Sequence, residues 1–274
     1  VLLEHLGLAA LGLLTACIGA VGGLGGAVIL VPILVFTGKS ITEAAPLGLV
    51  SVAAGSLAAG AFQLREHTVN HRLGVTTETA ATLGALTGAL VSGVVSEALL
   101  KWVLGLVAIS TAVVGGRRKG VRNLPDPALG PDDVGEEPGA LAGAYPLRAA
   151  VVPYRARHLG AGLGMMGVAG LVAGLAGTSG GFLKTPAMSE VMRVPVKVAA
   201  ATTTFTVGIT SAAALIVLAV QGRISPVPAA AVALGSLIGA QVGAQLQGRL
   251  SPPLVRRSLS AALVVIGLVL IVTA

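Results

Sequence analysis

The sequence predicts an all-α polytopic membrane protein. It is read as two inverted repeats, each a glycine-broken re-entrant helical hairpin followed by three transmembrane helices. Three observations lead there: the apolar composition, a motif that occurs twice in matching context, and the placement of charge in the loops. The chain is 54% hydrophobic and 11% charged, with mean hydropathy +0.92, whereas a soluble domain carries about 25% charged residues. No single soluble core buries that much apolar surface. Transmembrane β-barrels show alternating strands of about ten residues; the apolar runs here are longer and continuous, as helices require.

The apolar blocks fall near 6–22, 28–37, 44–63, 73–96, 98–115, 159–176, 196–220, 227–247 and 255–274. The opening "VLLEHLGLAALGLLTACIGA" lacks a basic leader region and runs directly into a glycine motif, so it is expected to be mature structure. The single cysteine, Cys17, allows no intramolecular disulfide and fits no zinc spacing. Between the fifth and sixth blocks lies a segment rich in Pro, Gly and charge, 117–157, expected to be a flexible cytoplasmic linker. It divides the chain into a first transmembrane repeat, 1–116, and a second, 158–274.

The two halves repeat a pattern. "GLGGAVILVP" ends at Pro32 and "GTSGGFLKTP" ends at Pro186; aligned on the prolines, Gly26 matches Gly180, Ala27 matches Gly181 and Leu30 matches Lys184. Each motif follows an apolar helix and leads into a small-residue span. Further on, Gly84, Gly88 and Ser92 answer Gly235, Gly239 and Gly243. Small residues at every fourth position let helix backbones approach closely in lipid. A repeat on this scale fits a two-fold transporter architecture.

Residues 6–37 as one helix would extend about 48 Å, against a hydrocarbon core of about 30 Å. A break at the glycines with a return to the same side fits better. A hairpin plus three crossings is an odd count, which inverts the second half. The charges agree with that arrangement. The loops assigned inside, 65–72, 117–157, 193–197 and 248–257, carry Arg65, Arg72, Arg117, Arg118, Lys119, Arg122, Arg193, Lys197, Arg249, Arg256 and Arg257. The outside loops hold Lys39 with Glu43, Glu97 with Lys101, and Arg223. This is the positive-inside bias, with both termini outside. It also accounts for the net charge of +7 without nucleic acid. Aromatics make up 3% of the chain, too few for a base-stacking platform.

The paired glycine–proline motifs resemble the TauE/SafE family, also called the 4-toluene sulfonate uptake permease family. The family motif is a glycine triplet followed by about four apolar residues and a proline. Here it reads Gly25-Gly26-Ala27 before Pro32 and Ser179-Gly180-Gly181 before Pro186, with Ala27 and Ser179 replacing glycines. "REHTVNHRLGVTTETAATLGALTGAL" and "QGRISPVPAAAVALGSLIGAQVGAQL" are similar to the family's later pattern. The resemblance covers nearly the whole chain except the linker. It implies an integral protein of the plasma (inner) membrane that transports a sulfur-containing anion, such as sulfite or an organosulfonate, with export the expected direction. It leaves open a coupling proton or cation and a homodimer. No cofactor is expected.

The residues of "LAGTSGGFLKTPAMSE", 175–190, suit an anion site. Glycines let the chain reverse at membrane depth, and irregular backbone there must face protein or a watery cavity. Amides of Gly180, Gly181 and Phe182 open a half-helix whose N-terminus attracts anions, and Thr178, Ser179 and Thr185 add hydroxyls. Gly25, Gly26, Ala27 and Pro32 supply the facing copy, and Thr202 and Thr203 line the span after the second motif. Lys184 either neutralises the substrate or snorkels or pairs with Glu190, because a lysine at the membrane centre costs from about 2.5 kcal/mol upward.

Other polar residues carry weaker signals. Thr204, Thr206, Ser51 and Ser56 either line a cavity or bond to their own helices. Gln241 and Gln245 share a helical face and either meet substrate or, the preferred reading, bond to another helix. Glu78 is read as a helix-start cap rather than a proton carrier. His67 and His71 are read as solvated, Met165 and Met166 as packing, and Trp102 as an interfacial anchor. There is no phosphate-binding loop for an ATPase. The rival readings are an anion channel, which needs a continuous polar pore, and a membrane lipid-pyrophosphate phosphatase. The motifs lack the Arg and His that such an enzyme uses.

Overall fold

The computed structural model describes residues 2–22, 25–65, 67–117, 124–147, 150–247 and 252–274. Gly23 and Leu24 of the first motif, and the basic loop residues Arg118, Lys119, Arg122 and Arg249, lie outside the described residues. The chain is mostly helical: α1 Leu2–Gly22, α2 Ala27–Phe36, α3 Ile41–Arg65, α4 His71–Val91, α5 Glu97–Arg117, α6 Leu159–Ala176, α7 Gly181–Pro186, α8 Val196–Val220, α9 Pro226–Gln247 and α10 Pro252–Val272. Among the described residues, five stretches are long and apolar enough to cross a membrane: Leu3–Val21, Ile41–Arg65, Leu159–Ala176, Val196–Val220 and Pro226–Leu246. α4 and α5 each have 21 residues, but α4 carries Glu78 and several threonines that lower its apolar character.

Packing follows the small residues. α1 lies along α9 in the same direction, so that Ala9, Leu13 and Cys17 meet Gly235, Gly239 and Gly243 in turn. α6 lies along α4 in the same way, with Gly170 and Gly174 against Ala81 and Ala85. A methyl group added at Gly170 would sit 1.8 Å from the Ala81 carbonyl oxygen, and one at Gly235 2.0 Å from that of Ala9. These backbones touch with no room for a side chain, which is how helices gain contact in lipid.

Two further pairs run in opposite directions. In α3 and α8, Gly60 meets Phe205 while Ala53 meets Gly208. In α5 and α10, Gly105 meets Gly267, Lys101 Nζ reaches the Thr273 carbonyl and Ser260 Oγ the Ala112 carbonyl. The larger pairings have counterparts: α1 with α9 and α6 with α4, α3 with α9 and α8 with α4, α5 with α7 and α10 with α2.

Lys39, beyond the end of α2, pairs with Glu4 at the start of α1 at 3.7 Å. At the end of α7, Pro186 supplies no amide and the chain continues as one π turn, Ala187–Val191. Met192 then lies beside the start of α6, its carbonyl accepting from Arg157 N–H at 2.8 Å.

The segment expected to be a flexible linker contains a three-stranded antiparallel sheet: β1 Gly135–Glu136, β2 Ala142–Leu147 and β3 Ala150–Arg155, in that order, with Tyr145 opposite Val152. Tyr145 and Val152, each 1% exposed, pack with Leu73, Met166, Met188 and Met192. The sheet therefore has its own apolar face and docks on the helices.

Candidate functional site

The site is built where the two glycine breaks meet. In the first, Gly25 has φ +80 and Gly26 is pressed against α1, where an added Cβ would lie 2.7 Å from Ala16 Cα. In the second, Gly180 has φ +61 and an added Cβ would lie 2.9 Å from the Ala169 carbonyl oxygen. L-residues avoid this left-handed region, so glycine is required at both turns. The breaks touch each other: a Cβ on Gly25 would lie 2.8 Å from both Cβ and Oγ of Ser179.

Between them lies a cavity of about 80 Å³. One water needs roughly 10–15 Å³ by this measure, so the space holds several waters or one small anion. Its polar wall is formed by Gly25, Gly26, Ser51, Ser56, Gln63, Ser179, Gly181, Thr203 and Thr204. Alanines, valines and glycines of α1, α3, α8 and α9 complete it. No charged side chain is present among the described lining residues.

The hydroxyls differ in how free they are. Ser56 Oγ donates to the Thr204 carbonyl at 2.8 Å, and Thr204 Oγ1 to the Ala200 carbonyl at 2.9 Å. Ser51 and Ser236 share a bond of 2.8 Å. Gly181 N–H points at Ser179 Oγ, 3.4 Å away. Thr203 Oγ1 reaches the Met188 sulfur at 3.8 Å, and a thioether is a weak acceptor. Thr203 is therefore the hydroxyl a ligand can claim most easily. Gln63 Oε1 is buried with no partner among the described residues.

Of the residues singled out in the sequence, Gly25, Gly26, Ser179, Gly181 and Thr203 stand on the cavity wall. Ala27 is buried behind it with Val52 and Val207. Pro32, Phe182, Thr185 and Pro186 are buried within α2 and α7. Gly180 backs onto α6. Thr178 is fully buried, its hydroxyl unpartnered among the described residues. Thr202 accepts the Asn70 N–H at 3.0 Å and so ties α8 to the start of α4. Gln241 and Gln245 are exposed and do not line the cavity. Gln63 joins the wall as well, and its amide at the end of an apolar block is the sequence signal for it.

Lys184 corrects the sequence reading. It is 0% exposed and does not line the cavity. Its ion pair is with Glu78, Nζ to Oε2 at 2.7 Å, not with Glu190, which is exposed. Nζ also donates to Thr210 Oγ1, and Thr210 Oγ1 contacts Glu78 Oε1. Glu78 is no helix-start cap either. Asn70 is the N-cap, accepting Leu73 N–H at 2.8 Å, so the helix starts earlier than its apolar block and Glu78 lies two turns inside.

No solved structure matches this chain. A probable membrane transporter protein, YunE of Bacillus subtilis (strain 168), is 24% identical over 277 residues, covering 96% of each chain. The profile of the sulfite exporter TauE/SafE family matches residues 8–270. A bundle of membrane-length helices, two family motifs in contact and a match over almost the full length lead to one conclusion: this chain is an integral membrane protein of the TauE/SafE family, a membrane transporter.

Proposed function

We propose that the protein is a secondary transporter, and an exporter, of a small sulfur-containing anion such as sulfite or an organosulfonate. The substrate binds in the cavity between the two glycine breaks. The observation that carries this reading is the wall itself, made of both family motifs plus hydroxyls and an amide. A compact anion needs several donors around its oxygens, and uncharged dipoles held near membrane depth supply them without binding too tightly for release. The described lining offers no carboxylate, imidazole or guanidinium for covalent or acid–base chemistry, which favours transport over catalysis.

The inverted arrangement is part of the proposal. Its support is directional: α3 and α8, and α5 and α10, are corresponding elements of the two halves, and each pair packs head to tail. A two-fold axis in the membrane plane requires this, whereas an axis along the normal would make them parallel. The cavity reaches Ala59 and Gln63 near the end of α3, Ala200 near the start of α8 and Ala244 near the end of α9. That is the side assigned inside. On the opposite side Arg223 Nη1 donates to Ser92 Oγ at 2.7 Å and Nη2 to the Thr42 carbonyl at 3.4 Å, joining the loop after α8 to the end of α4 and the first turn of α3. A site biased to one side and tied shut at the other suits alternating access.

The test is flux in proteoliposomes with labelled sulfite, a small organosulfonate, sulfate and phosphate. Saturable flux of sulfite or the sulfonate, in preference to phosphate, is expected. Phosphate preference, or no flux of any sulfur anion by folded protein, would contradict the substrate assignment.

A further inference from the structure

The buried ion pair does not belong to the cavity wall, and stability does not account for it. Glu78 and Lys184 are 5% and 0% exposed. Replacing a buried ion pair by apolar side chains is often neutral or stabilising. Ionisable groups held inside a membrane bundle are functional by default. The pair also joins the halves: Glu78 is on α4, while Lys184 and Thr210 are on α7 and α8. A rocking of one half against the other has to act on this contact.

Its position relative to the cavity is specific. Lys184 lies three residues beyond Gly181, and Thr210 three beyond Val207; Gly181 and Val207 both line the cavity. On each helix that is about 4.5 Å of rise. The pair as it stands is neutral. If the carboxylate gains a proton, the ammonium is left uncompensated in a low-dielectric interior close to the cavity, and an anion there restores neutrality.

We propose that Glu78 is the proton-binding site of the transporter, with Lys184 its charge partner, so that proton and anion bind together. This rests on the reading that the cavity holds an anion. The step balances simply: Glu78 carboxylate plus one proton gives the carboxylic acid, and no other bond is made or broken. The surroundings leave the pair isolated. On α4 the other ionisable groups are His71 and Arg72, at its first turn, and the His71 ring is held by Glu136 at 2.7 Å. α6 has none between Leu159 and Ala176, and α8 has only Lys197, at its first turn. α5, which packs on α7, carries Glu97, Lys101 and Arg117 at its ends, and α3, which packs on α8, carries Glu43 and Arg65 at its ends. Glu190 of the π turn is exposed. Tyr145 of the sheet faces the Leu73 end of α4. Among the described residues, neither Glu78 nor Lys184 has another ion-pair partner.

A proton bound at Glu78 and an anion bound in the cavity strengthen each other reciprocally, and one linked proton gives at most about a tenfold change in affinity per pH unit. The experiment is methanesulfonate binding to the purified protein in nanodiscs between about pH 5 and 9. Methanesulfonate stays a monoanion throughout, whereas sulfite itself titrates. Wild-type affinity should rise as pH falls, approaching tenfold per unit, and Glu78→Gln should bind with the acid-side affinity at every pH. A Glu78→Gln profile as steep as wild type, or a flat wild-type profile, overturns the proposal. If methanesulfonate binds at no pH, the substrate reading fails, and the proton site is judged by pH-difference infrared spectra. A carbonyl band of a buried protonated carboxyl group, present in wild type and lost in Glu78→Gln, supports it. Its absence from wild type, or persistence in the variant, overturns it. Should Glu78→Gln not fold, Glu78→Gln with Lys184→Met leaves no buried charge: its binding should be independent of pH and lack the acid-side gain, and its infrared band should be absent, whereas a profile as steep as wild type or a persisting band overturns the proposal.

Discussion

Gly25 shows how much one residue decides. It holds a left-handed backbone and also faces Ser179 across the junction of the motifs. Gly25→Ala therefore meets two obstacles. The backbone costs about 1–2 kcal/mol, and the new methyl collides with Ser179. Adding Ser179→Gly should remove the collision but not the backbone cost. Thermal unfolding of the two variants separates them: the double variant should recover part of the lost stability, not all. Thr203 tests the ligand side. Thr203→Val loses one hydroxyl whose present partner is only a sulfur, so stability should hold. Anion affinity should fall by about 1 kcal/mol, roughly fivefold, measured as Kd for an organosulfonate. At this scale the motif glycines were legible because they recur. The partner of Lys184 was not. Glu78 is 106 positions away, and only helix packing brings the two together.

Among the elements, the glycine breaks and the small-residue helices were legible, since glycine spacing directly expresses tight turns and close approach. The sheet was not. Its strands are only 2 to 6 residues long, and β2 and β3 contain Pro146 and Pro153, which argue against strands. Their apolar face becomes visible only against Met166 and Met188 of the helices. The sheet is latched by Glu136, whose carboxylate accepts from the His71 and Arg72 amides at the start of α4. Burial pushes the Glu136 carboxyl up, but these bonds outweigh it and hold it below its ordinary 4.5. A depressed carboxylate contributes stability that is present above its unfolded value, near 4.5, and lost as pH falls through the lower folded value. Sheet amides should therefore exchange faster on acidification through that window. Glu136→Gln should show the faster exchange already at neutral pH, with a cost of about 1–2 kcal/mol at this helix N-terminus. Unchanged exchange in Glu136→Gln would mean that apolar docking alone holds the sheet.

For the whole molecule, the membrane-spanning helical class was legible in the composition, and the larger helix pairings of the two halves correspond in the order of the motifs. The cavity was only half legible. The sequence pointed at both breaks but set its weight on α7, whereas the wall draws equally on α3, through Ser51, Ser56 and Gln63, and on α8. Those polar residues are scattered among alanines and acquire meaning only when α3 and α8 cross head to tail. The central claim is that this cavity is the substrate site. It is tested most directly by a cysteine at Ala240, a wall residue 3% exposed, in a Cys17→Ser background. The rate of its modification by a small methanethiosulfonate is measured with and without an organosulfonate, since sulfite would cleave the adduct. At ten times Kd the sulfonate should slow modification about tenfold, with no effect on a control cysteine at the exposed Asp132. An unchanged rate at Ala240→Cys, in protein that still transports the sulfonate, would contradict the account.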